Sequence, residues 1–272
     1  MGGLVKRKVW TGIYAVPPLV ALIIWGPPFV LSLMIFLATL LGLREFYHLT
    51  LPQSKGGVRM MGIGLGLLVS IAISYGSAEI VYPLLAFLLL ILFVLFMGTS
   101  EDLLSATSSA GVAFLGIFYI GFLLSHVSLI RQLTNGTRWV LFLIATVWAG
   151  DIFAFLCGSL FGKHKLYPKI SPNKTYEGLA GAILGSALAA LVFTSLFIPG
   201  SGRGFSILLG VSMGILGQFG DFTESMLKRS AQVKDSGSLI PGHGGMLDRL
   251  DSFLFSAPFL YYSLLYLLKE AR

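Results

Sequence analysis

The sequence predicts an all-α protein, a polytopic bundle of about nine transmembrane helices, and three observations predict it. Of 272 residues, 56% are hydrophobic and only 11% charged, against about 25% charged in a typical soluble domain. The apolar residues fall into repeated runs of about twenty, the length that crosses a bilayer as a helix. Lys and Arg collect in alternate connections between those runs, as the positive-inside bias requires. There is too little charge to cover a water-exposed surface, and in lipid each span satisfies its own backbone hydrogen bonds only as a helix.

Nine spans follow in order: 9–26, 28–48, 60–76, 80–98, 104–127, 139–161, 176–198, 204–227 and 249–268. The first follows Lys6-Arg7-Lys8 and resembles a signal peptide, but it contains Pro17-Pro18 and lacks a small-residue cleavage site, so it reads as a retained span. Trp25-Gly26-Pro27-Pro28 interrupts the first pair, one half of which could be re-entrant or interfacial. Gly158/Gly162, Gly181/Gly185 and Gly210/Gly214 repeat at four-residue spacing in the later spans, which lets helix backbones approach closely, within the chain or across a subunit interface. Cys157 is the single cysteine. It excludes an intrachain disulfide and reads as a buried, inert thiol.

With the N-terminus in the cytoplasm, the inner connections hold Lys6, Arg7, Lys8, Arg44, Lys55, Arg59, Lys163, Lys165, Lys169, Lys174, Lys228, Arg229, Lys234 and Arg249. Only Arg131, Arg138, Arg203, Lys269 and Arg272 fall outside. The net charge of +7 is therefore matched to anionic headgroups or phosphorylated substrates rather than to nucleic acid.

The two halves differ. Residues 1–137, spans one to five, carry few polar residues, and Glu45, Glu79, Glu101 and Asp102 sit near span ends, where they read as solvated or interfacial. Residues 138–272, spans six to nine with loops 162–176 and 228–248, carry the chemistry. Asp151 lies mid-span in Val147-Trp148-Ala149-Gly150-Asp151-Ile152-Phe153, and Asp221 and Glu224 lie in the eighth span. An ionised carboxylate at membrane depth costs about 2.5–3.5 kcal/mol on insertion scales, so each needs a cation, a water-filled cavity or basic side chains to compensate. Asp221, Glu224, Ser225 and Lys228 share one helical face, and Asp248 and Asp251 are i, i+3 at the start of the ninth helix. Oxygen donors without a His or Cys pair indicate a hard cation, Mg²⁺ rather than zinc.

Two connections supply the opposite charge. Residues 163–177 place four lysines, Ser171, Asn173 and Thr175 before a helix N-terminus, an end that favours phosphate. Residues 234–251 place His243 among Gly242, Gly244 and Gly245, next to Asp248 and Asp251. Glycines there allow close backbone approach, with N–H groups turned to an anion. A carboxylate cluster for a hard cation, flanked by two phosphate-binding connections on the cytoplasmic side, points to phosphoryl or nucleotidyl transfer.

Ser225, Lys228-Arg229, Lys234-Asp235, Gly237, Leu239, Pro241, His243-Gly244-Gly245, Asp248-Arg249 and Asp251 together resemble the signature of the CDP-diacylglycerol synthases, or phosphatidate cytidylyltransferases. The upstream run Asp151, Gly158, Gly162-Lys163, Leu166, Ser171-Pro172, Lys174-Thr175 and Glu177-Gly178 is similar to that family as well. The specific resemblance covers about residues 145–256. It implies Mg²⁺-dependent transfer of the cytidylyl group of CTP to phosphatidic acid, by a homodimer in the cell membrane with its site on the cytoplasmic side.

On this reading Asp221, Asp248, Lys174, His243 and Arg249 are the catalytic set. Asp221, Asp248, Asp251, Glu224 and Asp151 hold Mg²⁺ and a second cation of unspecified identity. Lys163, Lys165, Ser171, Asn173, Lys174, Thr175, Ser225, Lys228, Arg229, Lys234, Gly244 and Gly245 contact substrate phosphates. A CTP-dependent polyprenol kinase and a transporter of a phosphorylated solute are the alternative readings.

Overall fold

The computed structural model describes residues 16–51, 55–97, 103–237 and 244–268. The N-terminal basic cluster, Glu101, Asp102, His243 and residues 238–242 of the signature, and the C-terminal Lys269 and Arg272 lie outside the described residues.

Within them the chain is helical almost throughout. Its elements are α1 (Val16–Trp25), α2 (Pro28–Thr50), α3 (Gly56–Tyr75), α4 (Ala78–Met97), α5 (Leu103–Gly116), a π-helical turn (Ile117–Phe122), α6 (Leu123–Gln132), α7 (Gly136–Phe161), β1 (Lys165–Tyr167), β2 (Ser171–Thr175), α8 (Tyr176–Phe197), α9 (Arg203–Ser230) and α10 (Leu247–Tyr266). Seven helical stretches are long and apolar enough to cross a membrane, which makes this an all-α, multi-pass membrane protein. α1 is the described part of the first expected span. At ten residues it measures about 15 Å, half the thickness of a bilayer core. α10 has the length of a span, twenty residues, but carries Asp248 in its first turn and Asp251 directly after it.

The fifth span differs most from expectation. The sequence places it at 104–127, whereas the helical stretch runs from Leu104 to Gln132. The π-helical turn lets it change face without ending. Gly121 faces the α3 backbone so closely that a Cβ there would stand 2.6 Å from Gly66 O, and no side chain could replace it without moving α3.

The chain divides into two compact units. One contains residues 27–129 and 235–248, the other residues 1–26, 130–234 and 249–272. In the first, α2 and α3 lie against each other and against α5 and the π-helical turn. Tyr47 is the pin of this unit. Fully buried, it fits against Gly62 and Gly116, and its hydroxyl donates to Ala113 O at 2.7 Å. α4 turns Phe87, Leu90, Phe93 and Val94 outward, as a lipid-facing helix does.

In the second unit α7, α8 and α9 lie side by side, and the glycine pairs explain how. A Cβ on Gly181 or Gly185 would run into Cys157 and Phe153 of α7, and one on Gly210 or Gly214 into the α8 backbone. The four-residue glycine spacing is thus used for packing inside the chain, where close backbone approach replaces the hydrophobic drive that lipid removes. Cys157, a free and half-buried thiol, fills the notch at Gly181. Trp139 and Phe142, both fully buried, meet edge to face, and Phe142 meets Phe193 of α8 in the same way.

Candidate functional site

The stretch 163–177, read from sequence as a loop, is an antiparallel hairpin in which Lys165 pairs with Thr175 and Tyr167 with Ser171. Its base is closed by Tyr176 N–H donating to His164 O at 3.0 Å and by His164 Nδ1 lying 2.7 Å from Glu177 Oε1. Thr175 ends the hairpin and begins α8: its hydroxyl oxygen accepts from Gly178 N–H at 3.1 Å, an N-cap. Gly162 and Gly178 abut this threonine, which anchors the hairpin to both helices.

The anchored hairpin delivers Lys174 to α9. Lys174 Nζ lies 2.7 Å from Asp221 Oδ2 and 4.3 Å from the centre of the Phe222 ring. Asp221 Oδ1 also accepts from the Ser225 hydroxyl at 3.3 Å. One turn on, Glu224 is completely buried and pairs with Lys228 across i, i+4. Arg229 reaches back to the hairpin turn, where Nε donates to Ile170 O at 3.3 Å and a terminal nitrogen to Val233 O at 3.0 Å.

α10 brings the third acid. A Cβ on Gly220 of α9 would collide with the Asp251 backbone, so the two helices touch at this glycine. Asp221, Glu224 and Asp251 consequently each offer a carboxylate oxygen within 4.8 Å of the others. Asp251 Oδ1 accepts from Ser252 N–H at 2.7 Å. Asp151 of α7 accepts from the Ser252 hydroxyl and lies within electrostatic range of Asp221, Lys174 and Arg249. Acids outnumber the two ammonium groups paired with them, and all the donors are oxygen. The set fits a hard divalent cation, held by residues of α9 and α10.

Asp248 is engaged differently. Its Oδ2 accepts from Ser236 N–H at 3.1 Å, from the Ser236 hydroxyl at 2.8 Å and from Gly245 N–H at 2.7 Å. Gly244, at φ +79°, leaves the space that this carboxylate fills. Part of the N–H concavity that the glycines suggested from sequence therefore faces the protein's own acid. Lys163, Lys165, Asn173 and Lys234 are exposed, as is Arg249, while Ser171 is half-buried.

Sequence reading missed Ser252, Gly220, Ser236 and Glu45. The first three adjoin named acids or lie inside the signature, so their neighbours could have marked them. Glu45 had only its charge, next to Arg44 at a span end.

The whole chain carries relationship as well as geometry. The model of the cytidylyltransferase family matches residues 6–267. A phosphatidate cytidylyltransferase of Bacillus subtilis is 34% identical over 268 residues, 95% of this chain and 97% of its own. One of Staphylococcus epidermidis is 41% identical over 151 residues, 56% of this chain and 57% of its own. An uncharacterised protein of Escherichia coli, YnbB, is 34% identical over 269 residues, 96% and 87% of the two chains. With matches running from the first span to the last, this chain belongs to the cytidylyltransferase family, a family of nucleotidyltransferase enzymes.

Proposed function

We propose that the protein is a phosphatidate cytidylyltransferase, transferring the cytidylyl group of CTP to phosphatidic acid to give CDP-diacylglycerol and pyrophosphate. The observation that carries this reading is the convergence of Asp221, Glu224 and Asp251 beside lysines from the hairpin and α9, in a membrane chain matching a phosphatidate cytidylyltransferase along its length.

A phosphatidate oxygen attacks the α-phosphorus of CTP, the bond to the β-phosphate oxygen breaks, and pyrophosphate leaves with that electron pair. A phosphate monoester is already largely ionised at neutral pH, its second pKa being about 6, so no strong base is needed. Positioning and charge neutralisation are the demands. Asp221, Glu224 and Asp251 would hold Mg²⁺, with Asp248 one turn before Asp251 on the same helix and Asp151 as a further acid. When bound, the ion supplies charge neutralisation at phosphate oxygens.

With those carboxylates committed to a cation, the ammonium groups of Lys174 and Lys228 are available to substrate phosphates. Arg229, tied to the hairpin turn, keeps Lys174 aimed at α9. Asp151, through Ser252 and its proximity to Lys174, helps fix that lysine. His243, Gly244 and Gly245 are assigned to the triphosphate or leaving pyrophosphate, and Arg249 to the same phosphates. The distribution of Lys and Arg supports a cytoplasmic N-terminus and site, and we assign the protein to the cell membrane as a homodimer.

The test is product identity. Purified protein in detergent micelles with Mg²⁺, α-labelled CTP and phosphatidic acid should release pyrophosphate and label a CDP-lipid. CDP plus a lipid phosphate would indicate a kinase. No nucleotide turnover would remove the enzymatic reading.

A further inference from the structure

Glu45 sits in α2, among Leu43, Phe46 and Tyr47, none of which has any exposed surface. That packing gives its carboxylate a fixed origin. The carboxylate turns to a distant part of the chain within the same unit. Oε1 accepts from Met246 N–H at 2.9 Å, and Oε2 from Leu247 N–H at 2.8 Å and from the Ser236 hydroxyl at 3.1 Å. The residues that meet it explain two glycines of the signature: a Cβ on Gly237 would stand 2.7 Å from Oε1, and one on Gly245 would run into Oε2 and the Ser236 hydroxyl.

Glu45 has no Lys, Arg or His partner among the salt bridges of the described residues. Its charge is met by these three donors. Two are the otherwise unpaired amides at the start of α10, where a carboxylate is favoured by the helix dipole. The Ser236 hydroxyl has one proton and two acceptors, Glu45 at 3.1 Å and Asp248 at 2.8 Å, and so couples the two acids.

From this geometry we infer that Glu45 is a positioning residue. It fixes both flanks of the signature segment, Ser236–Gly237 on one side and Gly245–Leu247 on the other, and with them the first turn of the helix that carries Asp248 and Asp251. Glu45 touches no reacting atom. Its effect is to hold Ser236–Gly237 and Gly245–Leu247 in one arrangement. The inference rests on the cytidylyltransferase reading above.

The experiment compares wild type, Glu45→Gln and Ser236→Ala in detergent. Gln keeps the volume but turns one acceptor oxygen into an NH₂ that faces an amide donor. Ser236→Ala removes only the hydroxyl that couples the acids. In the substrate-free, metal-free protein, hydrogen exchange at Met246 and Leu247 should accelerate on the order of tenfold in Glu45→Gln, with α7–α9 unchanged. In the assay, KM for CTP should rise on the order of tenfold in Glu45→Gln and less in Ser236→Ala, while KM for phosphatidic acid stays the same.

Unchanged exchange at Met246 and Leu247 would overturn the inference. So would loss of kcat with both KM values intact, the pattern of a merely structural residue. A wild-type protein that makes no CDP-lipid would bring down the enzymatic reading itself; an active wild type indistinguishable from Glu45→Gln would bring down only this inference.

Discussion

Lys174 Nζ and Asp221 Oδ2 stand 2.7 Å apart, one at the end of a β-hairpin and the other on α9. The pair joins the basic connection to the acidic helix, and each residue is partly accessible. Replacing Lys174 with Met leaves Asp221 able to meet water or a cation, so the fold should survive. We expect turnover to fall by about 10²–10³, the range for removing one charge-stabilising group at a reacting centre. A steady-state assay alongside a thermal unfolding scan checks this: large loss of kcat, little change in unfolding temperature.

Glu224 and Lys228 behave otherwise. Glu224 is fully buried and its lysine partner nearly so, with 13% of the side chain exposed. Breaking a buried pair from one side leaves an uncompensated charge and costs about 3–5 kcal/mol. Glu224→Ala should therefore lower the unfolding temperature markedly. The double variant Glu224→Gln with Lys228→Met should recover much of the stability and none of the activity.

Gly220→Ala is a steric probe of the same place. The new methyl would meet the carbonyl of Asp251, with the Asp251 carbonyl carbon at 3.0 Å and Ser252 Cα at 3.2 Å. Backbone atoms on both sides cannot yield as a flexible side chain could. We expect α10 to be displaced, a loss of about 1–3 kcal/mol in stability, and a disproportionate rise in the Mg²⁺ concentration needed for half-maximal rate. Gly64→Ala, where a Cβ meets nothing within 4 Å, is the control and should be silent.

Thr175 separates a cap from a ligand. Its hydroxyl accepts from Gly178 N–H, so Thr175→Ala should cost about 1 kcal/mol, and Thr175→Ser should restore stability. If activity follows stability across the three proteins, the residue acts through the start of α8. If Ser restores stability without activity, the methyl group packed against Gly162 matters to the hairpin's position.

What sequence could and could not show follows from the range of each interaction. Helices came through because hydropathy is local and bilayer thickness sets their length. Asp221, Glu224 and Lys228 could be placed together because they share a helical face. The hairpin at 165–175 escaped notice because its strands are three and five residues long and rich in Lys, Pro and Asn, with no apolar alternation. The extension of the fifth span to Gln132 was hidden because its end carries Ser128, Arg131 and Gln132, so hydropathy falls before the helix ends.

Glu45 was the largest omission. Its partners lie about two hundred residues away, and a lone acid at a span end looks the same whether it faces water or a helix N-terminus. The signature glycines indicate close approach by an anion, and the described ones lie against carboxylates. Those carboxylates belong to Glu45 and Asp248, and a one-dimensional pattern cannot distinguish them from phosphate.

The central claim is that acids of α9 and α10 act together on a divalent cation. Its most direct test is the Mg²⁺ dependence of CDP-lipid formation in wild type, Asp221→Asn and Asp251→Asn, with unfolding temperature recorded for each. The account predicts saturable Mg²⁺ activation in wild type and loss of at least about 10²-fold in kcat in both variants, each still folded. Near-normal, Mg²⁺-independent turnover in Asp221→Asn and Asp251→Asn would contradict it.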